Sequence, residues 1–259
     1  MRDLAAAALF ALASLVASPA AAQDDESPPV LVVAVPPLAT PKDTETPAGT
    51  TWAIANQIAD LIAKDLRWSR RFVPVDVKSI RAPSFPEVTA PNYALWRGAG
   101  ARALVSGFVQ ARSDGRLTVG CYLYDAHKQR ELTRKGFLID PTDWRRAAHR
   151  CADAVYSGFT GEPGLFQTRI AYVDERGPPT ARTARIAVQD FDGTGHKYLT
   201  AGDEPVMTPL WSPTGDQIAY TSLAGGQLHV RLIDPASGDN RPLRTDGSIS
   251  FAPSYSPDG

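Results

Sequence analysis

The second half of the chain repeats itself. TPLWSPTG (208–215) returns as APSYSPDG (252–259), and IAVQDFDGTGHKYL (186–199) returns as VRLIDPASGDNRPL (230–243), both forty-four residues on. IAYVDE (170–175) returns as IAYTSL (218–223) at an offset of forty-eight. A period near 40–45 residues, with short apolar runs and turn residues at matching places, is that of β-propeller blades, which bury their apolar faces only by packing on one another. The stretch 163–259 therefore predicts about two blades and the opening of a third. Trp211, Ser212, Pro213 and Gly215 mark the turn of one repeat, and Tyr255, Ser256, Pro257 and Gly259 mark it in the next.

The repeat bears on a stretch that otherwise suggests chemistry. An apolar strand running into DFDGT (190–194) resembles the way haloacid-dehalogenase phosphatases present a nucleophilic aspartate. Asp190, however, aligns with Asp234 of DPASGD, with Gly195 set against Gly238. A nucleophile is unique in a chain, whereas a turn recurs once per blade. A phosphatase also needs a separate lysine and an acidic pair to balance phosphate charge and hold magnesium. Beyond Gly195 the one lysine is Lys197, and the acidic residues sit in turns. A calcium loop counted from Asp190 would place Ala201 where glutamate is required. Asp190 and Asp234 are expected to end strands and close hairpins. A periplasmic hydrolase or phosphatase using Asp190, or the regulatory propeller of a peptidase, is the alternative; a two-blade module for self-assembly is a third.

Upstream the period changes. VLVVAV (30–35) has strand length, and WAIANQIADLIAKDL (52–66) sets Ile54, Ile58, Leu61, Ile62 and Leu66 at helical spacing. FVPVDV (72–77) predicts a short strand, and a proline-rich loop over 81–91 leads to a short helix at NYALWRGAG. ALVSGFVQAR and RLTVGCYLYD flank Asp114-Gly115 as a hairpin, with a third strand over 128–139. WRRAAHRCADAVYSGF (144–159) predicts a helix capped by Asp143, with Ala148, Cys151, Ala152, Val155, Tyr156 and Phe159 on one face. Arg145, His149 and Asp153, spaced by four, suggest a surface charge ladder. The expected fold is an α+β N-terminal domain over 23–162, with helices packed on one side of a small mixed sheet, followed by the blades.

Net charge is −1 with no block of like charge, which argues against nucleic acid or an anionic membrane held by electrostatics. Arg2, an apolar run from Leu4 to Ala17 and Ala20-x-Ala22 form a signal peptide over 1–22, with cleavage between Ala22 and Gln23. The run is too short for a good membrane span, so an exported protein that is not integral to the membrane is expected. In an oxidising compartment Cys121 and Cys151 either form a disulfide or face one another as small buried hydrophobes. Two cysteines and four scattered histidines make no zinc pattern. The sequence offers no serine-hydrolase elbow, zincin pair or phosphate-binding loop, so no enzyme and no cofactor are expected.

WSPTGDQIAYTS (211–222), YSPDG (255–259) and the junction GEPGLFQTRIAYV (161–173) resemble the TolB family of the Tol–Pal envelope system. IADLIAKDLRWSRRFVPVD, LWRGAGARALVSGFV and HRCADAVYSGFTGEPG fall in the family's order, so the resemblance covers roughly residues 30–259. It implies a non-enzymatic periplasmic scaffold with a small α/β domain and a six-bladed propeller. It also implies binding of the lipoprotein Pal through the propeller and of TolA through the mature N-terminus, in support of outer-membrane integrity and cell division. Six blades need more chain than follows residue 163, so a longer protein is expected. QDDESPP (23–29) is acidic where family members carry a β-branched, basic segment, and Pro37 stands where they favour an aromatic. Both departures weigh against TolA binding in the family's manner.

Overall fold

The computed structural model describes residues 30–243 and 248–259; the signal peptide, with Ala22 and Gln23, lies outside the described residues. In chain order the first part comprises β1 (Leu31–Ala34), the two-residue strands β2 (Glu45–Thr46) and β3 (Gly49–Thr50), α1 (Thr51–Trp68), β4 (Phe72–Pro74), α2 (Tyr93–Gly98), β5 (Ala103–Ala111), β6 (Leu117–Asp125), β7 (Arg130–Ile139) and α3 (Trp144–Thr160). Five of the strands form one mixed sheet in the order β4-β1-β5-β6-β7. β1 runs parallel to both β4 and β5, and β5, β6 and β7 form an antiparallel meander. α1 begins where the Thr50 hydroxyl accepts the Ala53 N–H at 3.1 Å, and α2 where Asn92 accepts that of Leu95 at 3.2 Å. Asp143 makes no such bond; α3 is entered through a 3-10 turn over Pro141–Asp143.

Because successive strand side chains point to opposite faces, the sheet buries both. Val33, Val105, Val109, Val119 and Leu123 face the apolar stripes of α1 and α3, the expected arrangement. Ala34, Leu104 and Tyr124 point the other way and are covered by α2, whose Trp96 is buried. The helices thus occupy both faces, with the two long ones on one side. The short-helix cover explains why β5 is buried at nearly every position of its first half.

Cys121 of β6 and Cys151 of α3 meet in this core as free, buried thiols. Burial pushes the Cys151 thiol up, and its hydrogen bond to Cys121 pushes it further. Both cysteines should resist alkylation in the native chain and both should react once it is denatured without reductant. An intact mass showing a bonded pair after denaturation contradicts this.

Two glycines let β5 and β6 approach here. A Cβ on Gly107 would lie 2.3 Å from the Gly120 carbonyl oxygen, a backbone atom that cannot swing aside. Gly107→Ala should therefore lower stability by about 1–3 kcal/mol, the usual cost of overpacking, read as a drop in thermal midpoint.

The second part holds β8 (Arg169–Arg176), β9 (Thr183–Asp190) and β10 (Lys197–Tyr198) in a sheet ordered β10-β9-β8, then β11 (Val206–Trp211), β12 (Ile218–Ala224), β13 (Gln227–Ile233) and β14 (Asn240–Pro242) in a four-stranded sheet. Ile186 and Val188 of the first sheet share one core with Val206, Ile218, Tyr220 and Ile233 of the second. The sequence repeat is a repeat of hydrogen bonds. Leu199 N–H donates to the Ile186 carbonyl at 2.8 Å, and forty-four residues on Leu243 donates to Val230 at 2.9 Å. Thr208 and Ala252, again forty-four apart, are two of the four non-glycine residues with positive φ among the described residues, at 52° and 50°.

Candidate functional site at the junction of sheet domain and blades

The WSPTG turn is closed by its own side chains. The Ser212 and Thr214 hydroxyls donate to Asp216 at 2.7 and 2.6 Å, and Gly215, at φ 72°, donates its N–H to the Ser212 carbonyl. In the next repeat Gly259, at φ 102°, donates to Ser256 in the same way. Pro213 and Pro257 occupy the second place of each turn. Trp211 enters the shared core as a half-buried ring, stacked under the Arg169 guanidinium at 4.6 Å. Tyr255 stands in the corresponding place, and burial pushes its phenol up.

Asp190 is the last residue of β9, and Asp234 directly follows the last residue of β13. Each accepts a turn glycine's N–H on its backbone carbonyl: Gly193 to Asp190 at 2.9 Å and Gly238 to Asp234 at 2.8 Å. Gly193, not Gly195, is therefore the counterpart of Gly238; the first turn is one residue tighter, which shifts the alignment at this point.

The two turns differ in what they carry. Where the second has Pro235 and Ala236, the first has Phe191 and Asp192, and these two reach into the sheet domain. Phe191 donates its N–H to the Thr168 carbonyl at 2.9 Å. Its ring stands edge-on to Trp68 at the end of α1, centroids 4.3 Å apart, and to Phe166 at 5.6 Å. The Asp192 side chain is almost fully buried, 2% exposed, and pairs with Arg145 at the start of α3. One of its oxygens also accepts from Thr194 N–H at 3.0 Å and from the Thr194 hydroxyl at 2.6 Å.

Next to this half-buried pair sits a fully buried one. His149 Nδ1 lies 2.7 Å from Asp65 on α1, both side chains being at most 6% exposed. Ionised Asp65 only accepts, so Nδ1 carries the proton and Nε2 presents a lone pair. That geometry explains why Nε2 stands 3.8 Å from the Asp192 carboxylate without hydrogen bonding to it. The expected surface ladder of Arg145, His149 and Asp153 is thus corrected: His149 is buried and the other two are half-buried, because the first blade covers this side of α3. Asp153 accepts the Phe166 N–H and the Gln167 amide at 2.8 Å each and so fixes the connecting segment. The GEPG motif makes that possible. Gly161 ends α3 in the left-handed region at φ 75°, and a Cβ on Gly164 would stand 2.2 Å from the Asp153 carboxylate.

Burial pushes the Asp65 carboxyl above its usual range, against the His149 hydrogen bond, which opposes it. Burial also opposes ionisation of Asp192, but the Thr194 donors and the Arg145 charge outweigh it and hold that carboxyl below its usual range. The signs follow. A depressed carboxyl contributes stability above its unfolded value, about 3.9, and loses it as pH falls through the folded one. The junction should loosen on acidification below about pH 4, and Asp192→Asn should abolish that share of the loss. Asp65 runs the other way, its contribution declining as pH rises through its raised value. An acid melt followed by Trp68 fluorescence reads the balance; a wild-type and Asp192→Asn pair with identical profiles contradicts it.

Sequence reasoning missed Asp65 and Asp192. Asp65 had a signal: it falls on the apolar stripe of α1, three and four residues from Ile62 and Leu61, where an acid demands a partner. Among the described residues no cluster of three or more His, Cys, Asp or Glu is disposed to hold a metal ion, and no helix is long and apolar enough to cross a membrane.

Comparison with known proteins agrees with this architecture. The family model of the TolB amino-terminal domain matches residues 29–132, and that of the TolB beta propeller domain matches residues 156–259. Tol-Pal system protein TolB of Zymomonas mobilis subsp. mobilis is 47% identical over 209 residues, covering 81% of this chain and 46% of the relative. Its counterpart in Rhizorhabdus wittichii is 45% identical over 227 residues, covering 86% and 52%. The chain thus spans about half the length of the curated relatives it matches. The crystal structure of TolB from Acinetobacter baumannii superposes with a TM-score of 0.73 at 28% identity, over 89% of this chain and 53% of that one. With two family models matched in order and a shared two-part fold, the chain belongs to the TolB family, of which it carries the amino-terminal domain and the first blades of the propeller.

Proposed function

We propose that the chain serves as a non-enzymatic scaffold of the Tol–Pal envelope system in the periplasm, with Pal as the partner of the propeller in the whole protein. The observation that carries this reading is the match to proteins named Tol-Pal system protein TolB at 45–47% identity across both parts of the chain. The structure supports it in two ways. The repeat residues Trp211, Ser212, Pro213, Gly215 and Asp234 are engaged in turns and packing, the role of a recurring structural unit. Asp190 shares its backbone role with Asp234, which favours a turn over a nucleophile.

The signal peptide over 1–22 supports export, with maintenance of outer-membrane integrity and a part in cell division as the cellular role. TolA is a weaker candidate partner. The segment 23–29 is acidic, which works against a contact that family members make through a basic stretch. The test is co-purification with Pal of a chain extended to six blades, beside a homologue that binds. Retention at comparable affinity is expected; no association under conditions where the homologue binds overturns the proposal.

A further inference from the structure

Between the start of α3 and β8 lies an open cleft of about 450 Å³ whose lining includes three arginines. Arg145 and Arg146 reach it from the first turn of α3, and Arg169 from the start of β8. In a chain of net charge −1, three arginines on one cleft set it apart from the rest of the surface. Their charge is only partly answered. Arg145 pairs with Asp192; Arg169 stacks on Trp211 and donates to the Gly215 carbonyl at 3.3 Å, but neither it nor Arg146 forms an ion pair among the described residues. Asp190 also lines the cleft, half-buried and without a side-chain hydrogen bond or ion pair among the described residues.

Two buried polar atoms of the same lining lack a partner: the Arg145 Nε and the Nε2 of His149, a residue 95% buried by its 5% exposure. The Arg145 Nε–H is a buried donor left unpaired, which is costly, the His149 Nε2 is an acceptor open to a ligand hydroxyl, and guanidinium forks match the oxygens of a phosphate group. The helix adds to the field. Asp143 leaves the N-terminus of α3 without a side-chain cap at the end where the backbone favours negative charge.

The geometry points to this cleft as a binding site for a phosphate group carried on a small hydroxylated molecule. Arg145, Arg146 and Arg169 hold the oxyanion, and Asp190 accepts a hydroxyl of the attached group. The volume exceeds what a bare phosphate needs, which leaves room for that group. Neither the Pal reading nor the turn role of Asp190's backbone enters this assignment.

The test is calorimetric titration of the chain with inorganic phosphate and with glycerol 3-phosphate at constant ionic strength, chloride being the control. Saturable one-to-one binding is expected, tighter for glycerol 3-phosphate. It should weaken about tenfold or more in Arg146→Glu and in Arg169→Gln, the size of one lost charged hydrogen bond. Arg146 is exposed and outside the buried pairs, so Arg146→Glu should keep the thermal midpoint and isolates binding from folding. Flotation with phosphatidylglycerol vesicles distinguishes a lipid headgroup from a free phosphomonoester, since only the former retains the chain on the vesicles. Heats equal to those of chloride, or binding undiminished in both variants, overturn the assignment.

Discussion

Asp192→Ala should split the unfolding of this chain into two transitions. The substitution removes the acid from a half-buried arginine, and it leaves the Thr194 N–H and hydroxyl without their acceptor. Losing a charged hydrogen bond and stranding the Thr194 donors costs about 1–3 kcal/mol. The loss falls on the contact between the parts and not on either core, because Asp192 belongs to neither apolar cluster of the blades or the sheet domain. Trp68, edge-on to Phe191, reports the separation directly, while Trp211 reports the blades. Both probes should change together in the parent chain and at different temperatures in the variant. A single coincident transition at an unaltered midpoint would show that the pair holds nothing.

The second large effect concerns Asp65 and His149. Asp65→Leu should cost about 3–5 kcal/mol, since it strands a buried imidazole N–H among apolar side chains. The double variant Asp65→Leu/His149→Leu should recover most of that loss. Replacing both members of a buried polar pair with apolar groups of similar volume is often close to neutral, because the desolvation of both is removed with their attraction. The coupling read from a double-mutant cycle is then large, and of the sign expected for a pair that tolerates joint but not single removal. Additive losses in the double variant would mean that the two residues act independently.

These residues also mark what the sequence made legible and what it did not. Local periodicity disclosed the elements because each obeys a short-range rule: the stripe Ile54, Ile58, Leu61, Ile62, Leu66 for α1, and the pair of strands around Asp114-Gly115. The forty-four-residue repeat disclosed the blades for the same reason, down to the Leu199 and Leu243 hydrogen bonds. The junction was opaque. Phe191 and Asp192 look like part of a turn motif, and only their absence from the second repeat, where Pro235 and Ala236 stand, distinguishes docking residues from turn residues. His149 read as a surface residue because helical spacing reports which residues share a face, never which faces are later covered by a distant segment. The face of α2 was hidden likewise, since six residues are too few for a periodic stripe.

Phe191 and Asp192 therefore do what the rest of their turn does not. They fasten the first blade to α1 and α3, so that sheet domain and blades open as one unit. Hydrogen exchange resolved by segment tests this most directly, comparing amides of α1 (Thr51–Trp68) with those of β9 (Thr183–Asp190) and the Phe191 amide bonded to Thr168. A common opening free energy is predicted in the parent chain, separating into two values in Asp192→Ala. A blade that already opens in the parent chain at a lower free energy than α1, unaltered by the substitution, would contradict the account.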